Sequence, residues 1–271
     1  MVLKIFRKIL KFFKKLGTDE VTVYSAQASY YIIISSFPFA MLLISLIGFF
    51  MPEYKHTVLT TIQSAVPSVI KPLFMELADE LFTKSISIVS FTAITSMWTS
   101  SRGLASVEKG ISRVYGTKMS RNFFVSAVRS IVYTIVFMFL LMLTLVVHVF
   151  SNTLLNMFGN YVMISPTGLI LIRIVAFFAF VSVVFALMYY VFSNRRIPFA
   201  FHLPGALFSA AGWMIFSNLF SVYIENFANY SYIYGSLAAV VLLMLWLFCC
   251  VTILLTGAQI NHFIIKREVL K

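Results

Sequence analysis

The chain has 271 residues, of which 61% are hydrophobic and only 11% charged, with a net charge of +12. A soluble domain of this size needs a larger polar surface, so lipid must be the solvent for most of its side chains. A basic excess points to nucleic acid in a soluble protein; in a membrane protein cytoplasmic loops collect the same residues, and no nucleic-acid partner is expected.

Residues 2–16 read as an amphipathic surface helix. Lys4, Arg7, Lys8, Lys11, Lys14 and Lys15 share one arc, and Ile5, Phe6, Ile9, Phe12, Phe13 and Leu16 the other. Such a segment suits the headgroup boundary of an anionic leaflet, or packs its apolar arc on the protein's own bundle. No continuous apolar run follows, so a cleavable signal peptide is not expected. The first span is expected at about 28–50, with Pro38 inside it and Pro52 ending it. Residues 53–84 read as short helices at the outer surface.

A second, short span, about 86–100, continues as a cytoplasmic helix. Along 102–116, Arg102, Lys109 and Arg113 form one stripe, and Leu104, Val107, Ile111 and Val114 another. Further spans are expected at about 125–150, 167–192, 203–224 and 233–263. Asn194, Arg195 and Arg196 close the fourth, Pro204 opens the fifth, and an Asn/Tyr-rich outer turn precedes the sixth. The whole is an all-α, polytopic membrane protein of six transmembrane helices with amphipathic surface helices. It divides into a surface helix at 1–19, a membrane domain at 20–265 and a tail at 266–271.

Sidedness follows from the cations. Sixteen fall on one side: the six of the N-terminal helix, then Arg102, Lys109, Arg113, Lys118, Arg121, Arg195, Arg196, Lys266, Arg267 and Lys271. Only Lys55, Lys71 and Lys84 fall on the other, and Arg129 and Arg173 lie at or within spans. The richer side is cytoplasmic, so both chain ends are too, in a multi-pass protein of the cell membrane.

Arg173, about seven residues inside the fourth span, is the sharpest anomaly. It either holds an anionic headgroup or lines a cavity, or else pairs with Glu225 or snorkels outward. Thr92, Thr95, Ser96 and Thr99 form a polar stripe on the second span. Ser25, Ser29 and Ser36 share a face of the first. These stripes line a hydrated groove or, as is commoner for Ser and Thr, pack helices together. Gly205, Ser209 and Gly212 read as packing residues, and Gln259 and Asn261 as caps or bridges between helices.

Catalysis has little support. His56, His148, His202 and His262 are read as scattered over different ends, and the nine acidic residues as lying in loops or near interfaces. Phosphate-loop, nucleophile-elbow and zinc motifs are missing from the sequence, so neither a metal nor a cofactor is expected. The adjacent Cys249 and Cys250 cannot found a disulfide framework.

Several blocks carry a family resemblance. They are Ala28-Ser29-Tyr30-Tyr31 with Ser35-Ser36-Phe37-Pro38; Ser101-Arg102-Gly103-Leu104 through Val114-Tyr115-Gly116; and Pro204-Gly205-Ala206-Leu207-Phe208 with Gly212-Trp213. Tyr230 through Ala239, Leu245-Trp246 and Leu255 through Asn261 complete the set. Together they resemble the YihY/virulence factor BrkB family over about 20–265. The resemblance implies a six-span inner or plasma membrane protein without a settled activity; the family's former name of ribonuclease BN is regarded as mistaken. The family's links to envelope lipid handling make lipid or amphiphile transport the leading expectation, and the missing motifs speak against an enzyme. Members often carry Glu where this chain has Gln259, so any coupling through that carboxylate is altered here.

The sequence therefore predicts a mover of an anionic lipid or amphiphile. Ser29, Ser36, Thr92, Thr95, Ser96, Thr99, Arg173 and Glu225 would form its groove. Lys4, Lys8, Lys11, Lys15, Arg102, Lys109 and Arg113 would meet headgroups or the membrane surface. The rivals are a non-transporting scaffold for envelope proteins and a membrane nuclease. Membrane lipids are the expected partners; the sequence names neither a protein partner nor an oligomeric state.

Overall fold

The computed structural model describes residues 14–50, 60, 86–117, 166–193, 197–226 and 236–268. At 36–50, 86–97, 99–100, 166–167, 169–170, 172–173, 225–226, 236–239 and 267–268 the description covers the helix but not the side chains. Among the described residues every regular element is helical. They are α1 (Val21–Phe50), α2 (Ile86–Tyr115), α3 (Pro166–Phe192), a 3-10 turn (Phe199–His202), α4 (Leu203–Asn226) and α5 (Ser236–Glu268). The expected third span, the 53–84 helices apart from residue 60, and most of the N-terminal helix lie outside the described residues.

Local chemistry sets the element ends. Residues 14–18 are helical and stop where Glu20 takes a positive φ of 55°. There the Asp19 N–H donates to the Lys15 carbonyl, and the Lys15 ammonium pairs with the Asp19 carboxylate at 2.8 Å. Helix α1 therefore starts at Val21, earlier than the sequence predicts. At the other end of α2, Gly116 has φ 66°. Its N–H donates to the Arg113 carbonyl and that of Thr117 to the Ser112 carbonyl, a Schellman closure that glycine makes cheaply. Pro166 begins α3, and Pro204 sits in the first turn of α4, where a missing N–H costs nothing.

Close contacts set the directions. Gly103 lies against Ile32 and Gly110 against Tyr24, so α1 and α2 run antiparallel. Gly110 also meets Leu255 of α5. The Ser209 hydroxyl donates to the Ile253 carbonyl and the Trp246 indole to Ser217, which makes α4 and α5 antiparallel. Tyr189 meets Ser209, and the Phe185 ring meets Trp213, so α3 is antiparallel to α4. The Ser112 hydroxyl donates to the Phe192 carbonyl at 3.0 Å, tying the last turn of α2 to the end of α3.

One end of the bundle thus gathers the start of α1, the ends of α2 and α3, the 3-10 turn, the start of α4 and the last turns of α5. The core concentrates there, around Val21, Ile111, Tyr115, Tyr189, Leu255 and Ile265. Away from that end, α3, α4 and α5 expose large hydrophobic side chains such as Val175, Ile215, Leu219 and Val241. Among the described residues, three stretches are long and apolar enough to cross a membrane: Ile174–Phe192, Phe199–Ile224 and Val240–Lys266.

Candidate functional site

The shared end encloses a buried polar knot. Its scaffold is the contact between α4 and α5, made by small residues. A methyl group at Gly205 would overlap the Gly257 carbonyl and lie 2.6 Å from the Asn261 side chain. One at Gly257 would overlap the Ser209 hydroxyl and lie 2.6 Å from that of Tyr189. Backbones this close bring main-chain carbonyls within reach of side-chain donors, which an apolar environment requires.

The knot is bonded across five elements, the 3-10 turn included. The Asn261 amide donates to the His202 carbonyl at 3.0 Å and accepts the Gly205 N–H at 2.7 Å, satisfying a first-turn donor of α4. The Tyr189 hydroxyl donates to the Leu254 carbonyl at 2.7 Å and lies 2.8 Å from the Ser209 hydroxyl. The Tyr115 hydroxyl lies 3.1 Å from His202 Nδ1. Burial raises the pKa of the Tyr115 phenol, with the Asn261 side chain opposing, so it stays a neutral donor. Asn261 is therefore a bridge between helices, as its position suggests. Gln259 is fully buried, and neither end of its amide has a hydrogen-bond partner among the described residues.

Two readings of the sequence change here. His202 and His262 are not at different ends: their rings lie 5.8 and 6.0 Å from that of Tyr115. Glu108 is not in a loop but buried within α2. Both were hidden because the partners come from separate elements, and helical periodicity gives a residue's face but not its neighbour. Among the described residues, no three His, Cys, Asp or Glu side chains gather as a metal-binding set.

The predicted groove residues fare differently. Ser29 is buried and donates to the Ser25 carbonyl one turn back at 2.7 Å. Ser36, Thr92, Thr95, Ser96, Thr99, Arg173 and Glu225 lie on described helices, but their side chains fall outside the described residues. Lys4, Lys8 and Lys11 lie outside them altogether. Arg102, Lys109 and Arg113 are exposed on α2, while Val107, Ile111 and Val114 on its opposite face are buried. Lys15 is half-buried and engaged with Asp19.

Comparison with known proteins adds the following. The family model described as virulence factor BrkB matches residues 12–270. A Bacillus subtilis (strain 168) protein named as ribonuclease-like, YfkH, is 28% identical over 248 residues, covering 90% of each chain. A UPF0761 membrane protein of Alteromonas mediterranea is 25% identical over 92% of this chain and 84% of its own. Another, of Vibrio atlanticus, is 31% identical over 43% of this chain and 36% of its own. No solved structure matches.

Proposed function

Starting from a chain that belongs to the virulence factor BrkB family and is a helical membrane protein, we propose that it moves an anionic lipid or related amphiphile across the cell membrane. The observation that carries this reading is the split surface of the bundle. Exposed Val, Ile, Leu and Phe side chains run along α3, α4 and α5, and exposed Lys109, Arg113 and Lys266 stand at the shared end. A molecule with a negative head and hydrocarbon tails matches both parts.

The reading includes six spans with both chain ends cytoplasmic. Thr117 lies at the shared end and Pro166 at the opposite end of α3, so residues 118–165 join opposite ends of the bundle. The apolar run 125–150 is long enough to be read as one crossing between them, which supports the six-span reading. The exposed cations at the shared end support reading it as the cytoplasmic side. The domain division at 1–19, 20–265 and 266–271 belongs to the same reading. So does a groove containing Thr92, Thr95, Ser96, Thr99 and Arg173.

The test is lipid translocation in reconstituted vesicles. Wild-type protein should exceed protein-free vesicles, and the Thr95→Leu/Arg173→Ala variant should lose the excess. A folded wild type that moves none of several lipids removes the reading. The glycine-tight packing of α4 on α5 favours a second one, a non-transporting scaffold. Crosslinking that returns a stable protein partner, with vesicles silent, would select it. The ribonuclease-like name of the Bacillus relative raises a nuclease, but we read the chain as non-enzymatic. Metal-dependent RNA cleavage by protein free of co-purified nuclease would overturn that.

A further inference from the structure

Arg102 stands on the exposed arc of α2 with Trp98, Lys109 and Arg113. Three contacts give the height of this arc in the bundle. Ser112 is bonded to the Phe192 carbonyl, so Arg102 is level with the part of α3 near Ser182. Gly103 lies against Ile32, and Gly110 against Leu255, which sets Arg102 level with α1 near Ile33 and with α5 near Leu247. The Trp246–Ser217 bond carries that level to α4. At this height the other helices expose hydrocarbon: Ile34 on α1, Val183 on α3, Leu219 on α4 and Leu245 on α5. At ~1.5 Å rise per residue, Arg102 lies about 15 Å along α2 from the Ser112–Phe192 bond.

A cation facing outward in an apolar belt is costly unless an anion or water meets it. The usual escape is to reach toward the polar end. Arg102 does the reverse: its guanidinium lies 5.1 Å from the centroid of the Trp98 ring, one turn deeper. Helical side chains lean toward the N-terminus, which here is the apolar direction. A guanidinium held over an indole keeps N–H donors that can meet a phosphate. Among the described residues no acidic side chain shares the arc; Glu108 is buried on another face.

We propose that this arc is a membrane-facing track for the phosphate of an anionic phospholipid. Arg113 and Lys109 receive the headgroup at the polar end. Arg102, held on Trp98, binds it at the deepest point, while the acyl chains stay against the exposed hydrocarbon of the belt. The steps between cations are ~6 and ~10.5 Å along the helix, within the joint reach of two long side chains. The track rests on the reading of the chain as a mover of anionic amphiphiles and says where on it the phosphate is held.

Full-length protein would be equilibrated with equal phosphatidylglycerol and phosphatidylcholine, and the retained lipid measured by native mass spectrometry. Wild type should retain phosphatidylglycerol preferentially. Arg102→Gln should lower that retention about tenfold, the loss of one charge-assisted contact. Arg102→Lys should recover part of it, and Asn218→Ala, an exposed polar change on α4 away from the arc, should change nothing. Thermal midpoints of all three variants should match wild type, since the side chains are exposed. Equal retention of the two lipids by wild type, or undiminished retention by Arg102→Gln, overturns the track. Retention that depends on Arg102 in protein that moves no lipid in vesicles keeps the track and removes the transport reading.

Discussion

Asn261 on α5 donates its side-chain amide to the main-chain carbonyl of His202 at 3.0 Å, joining two residues far apart in the chain. The same side chain accepts the Gly205 N–H at 2.7 Å, so a single amide closes both the end of the 3-10 turn and the first turn of α4. Asn261→Leu removes the acceptor of the buried Gly205 N–H and one donor to the His202 carbonyl, and an orphaned buried N–H costs about 1–3 kcal/mol. Thermal unfolding in detergent should show a clearly lowered midpoint, larger than for Asn218→Leu, whose amide bonds only within its own helix and is exposed.

The glycines should rank by what surrounds them. Gly205→Ala and Gly257→Ala place a methyl into backbone and short hydroxyls, which cannot move aside, and overpacking of this kind costs about 1–3 kcal/mol. Gly110→Ala meets the tip of Leu255 first and should cost less, because that side chain can turn away. Gly17→Ala meets nothing within 4 Å and should be neutral. The monodisperse fraction after a heat challenge reads the order directly.

Tyr189 contributes a hydroxyl and little else that phenylalanine lacks. Tyr189→Phe should cost about 1 kcal/mol, the net worth of a hydrogen bond, with the Ser209–Ile253 bond retained. A double-mutant cycle with Ser209→Ala should show coupling, since the two hydroxyls lie 2.8 Å apart.

Gly116→Ala tests the end of α2. Its φ of 66° suits glycine, and a side chain there should cost about 1 kcal/mol. Hydrogen exchange at Thr117, whose N–H bonds to the Ser112 carbonyl, should accelerate while α4 and α5 keep their protection.

Much of the helical layout was legible. Apolar run lengths placed α3, α4 and α5 within a few residues of their ends, because the need to span hydrocarbon fixes length almost independently of neighbours. The two faces of α2 were readable from Lys109 and Arg113 against Val107 and Ile111, since a helix repeats every 3.6 residues. The small residues Gly205, Ser209 and Gly212 named their own role. What stayed hidden was register between helices. Tyr115, His202 and His262 meet only because Gly257 lets α5 approach α4 at one height, and nothing within a single segment encodes that height. For the same reason Arg102 reads from sequence as cytoplasmic, while its contacts set it level with exposed Val183 and Leu219.

Both the span count and the phosphate track require the shared end to face the cytoplasm. Single cysteines placed at Lys15, Gly116 and Lys266, and at Phe50 and Asn226, in a chain whose Cys249 and Cys250 are replaced by serine, would be labelled in intact cells with an impermeant thiol reagent. The first three should react only after the membrane is opened, and the last two before. Labelling of Lys15 and Lys266 from opposite faces of the bilayer would contradict that orientation.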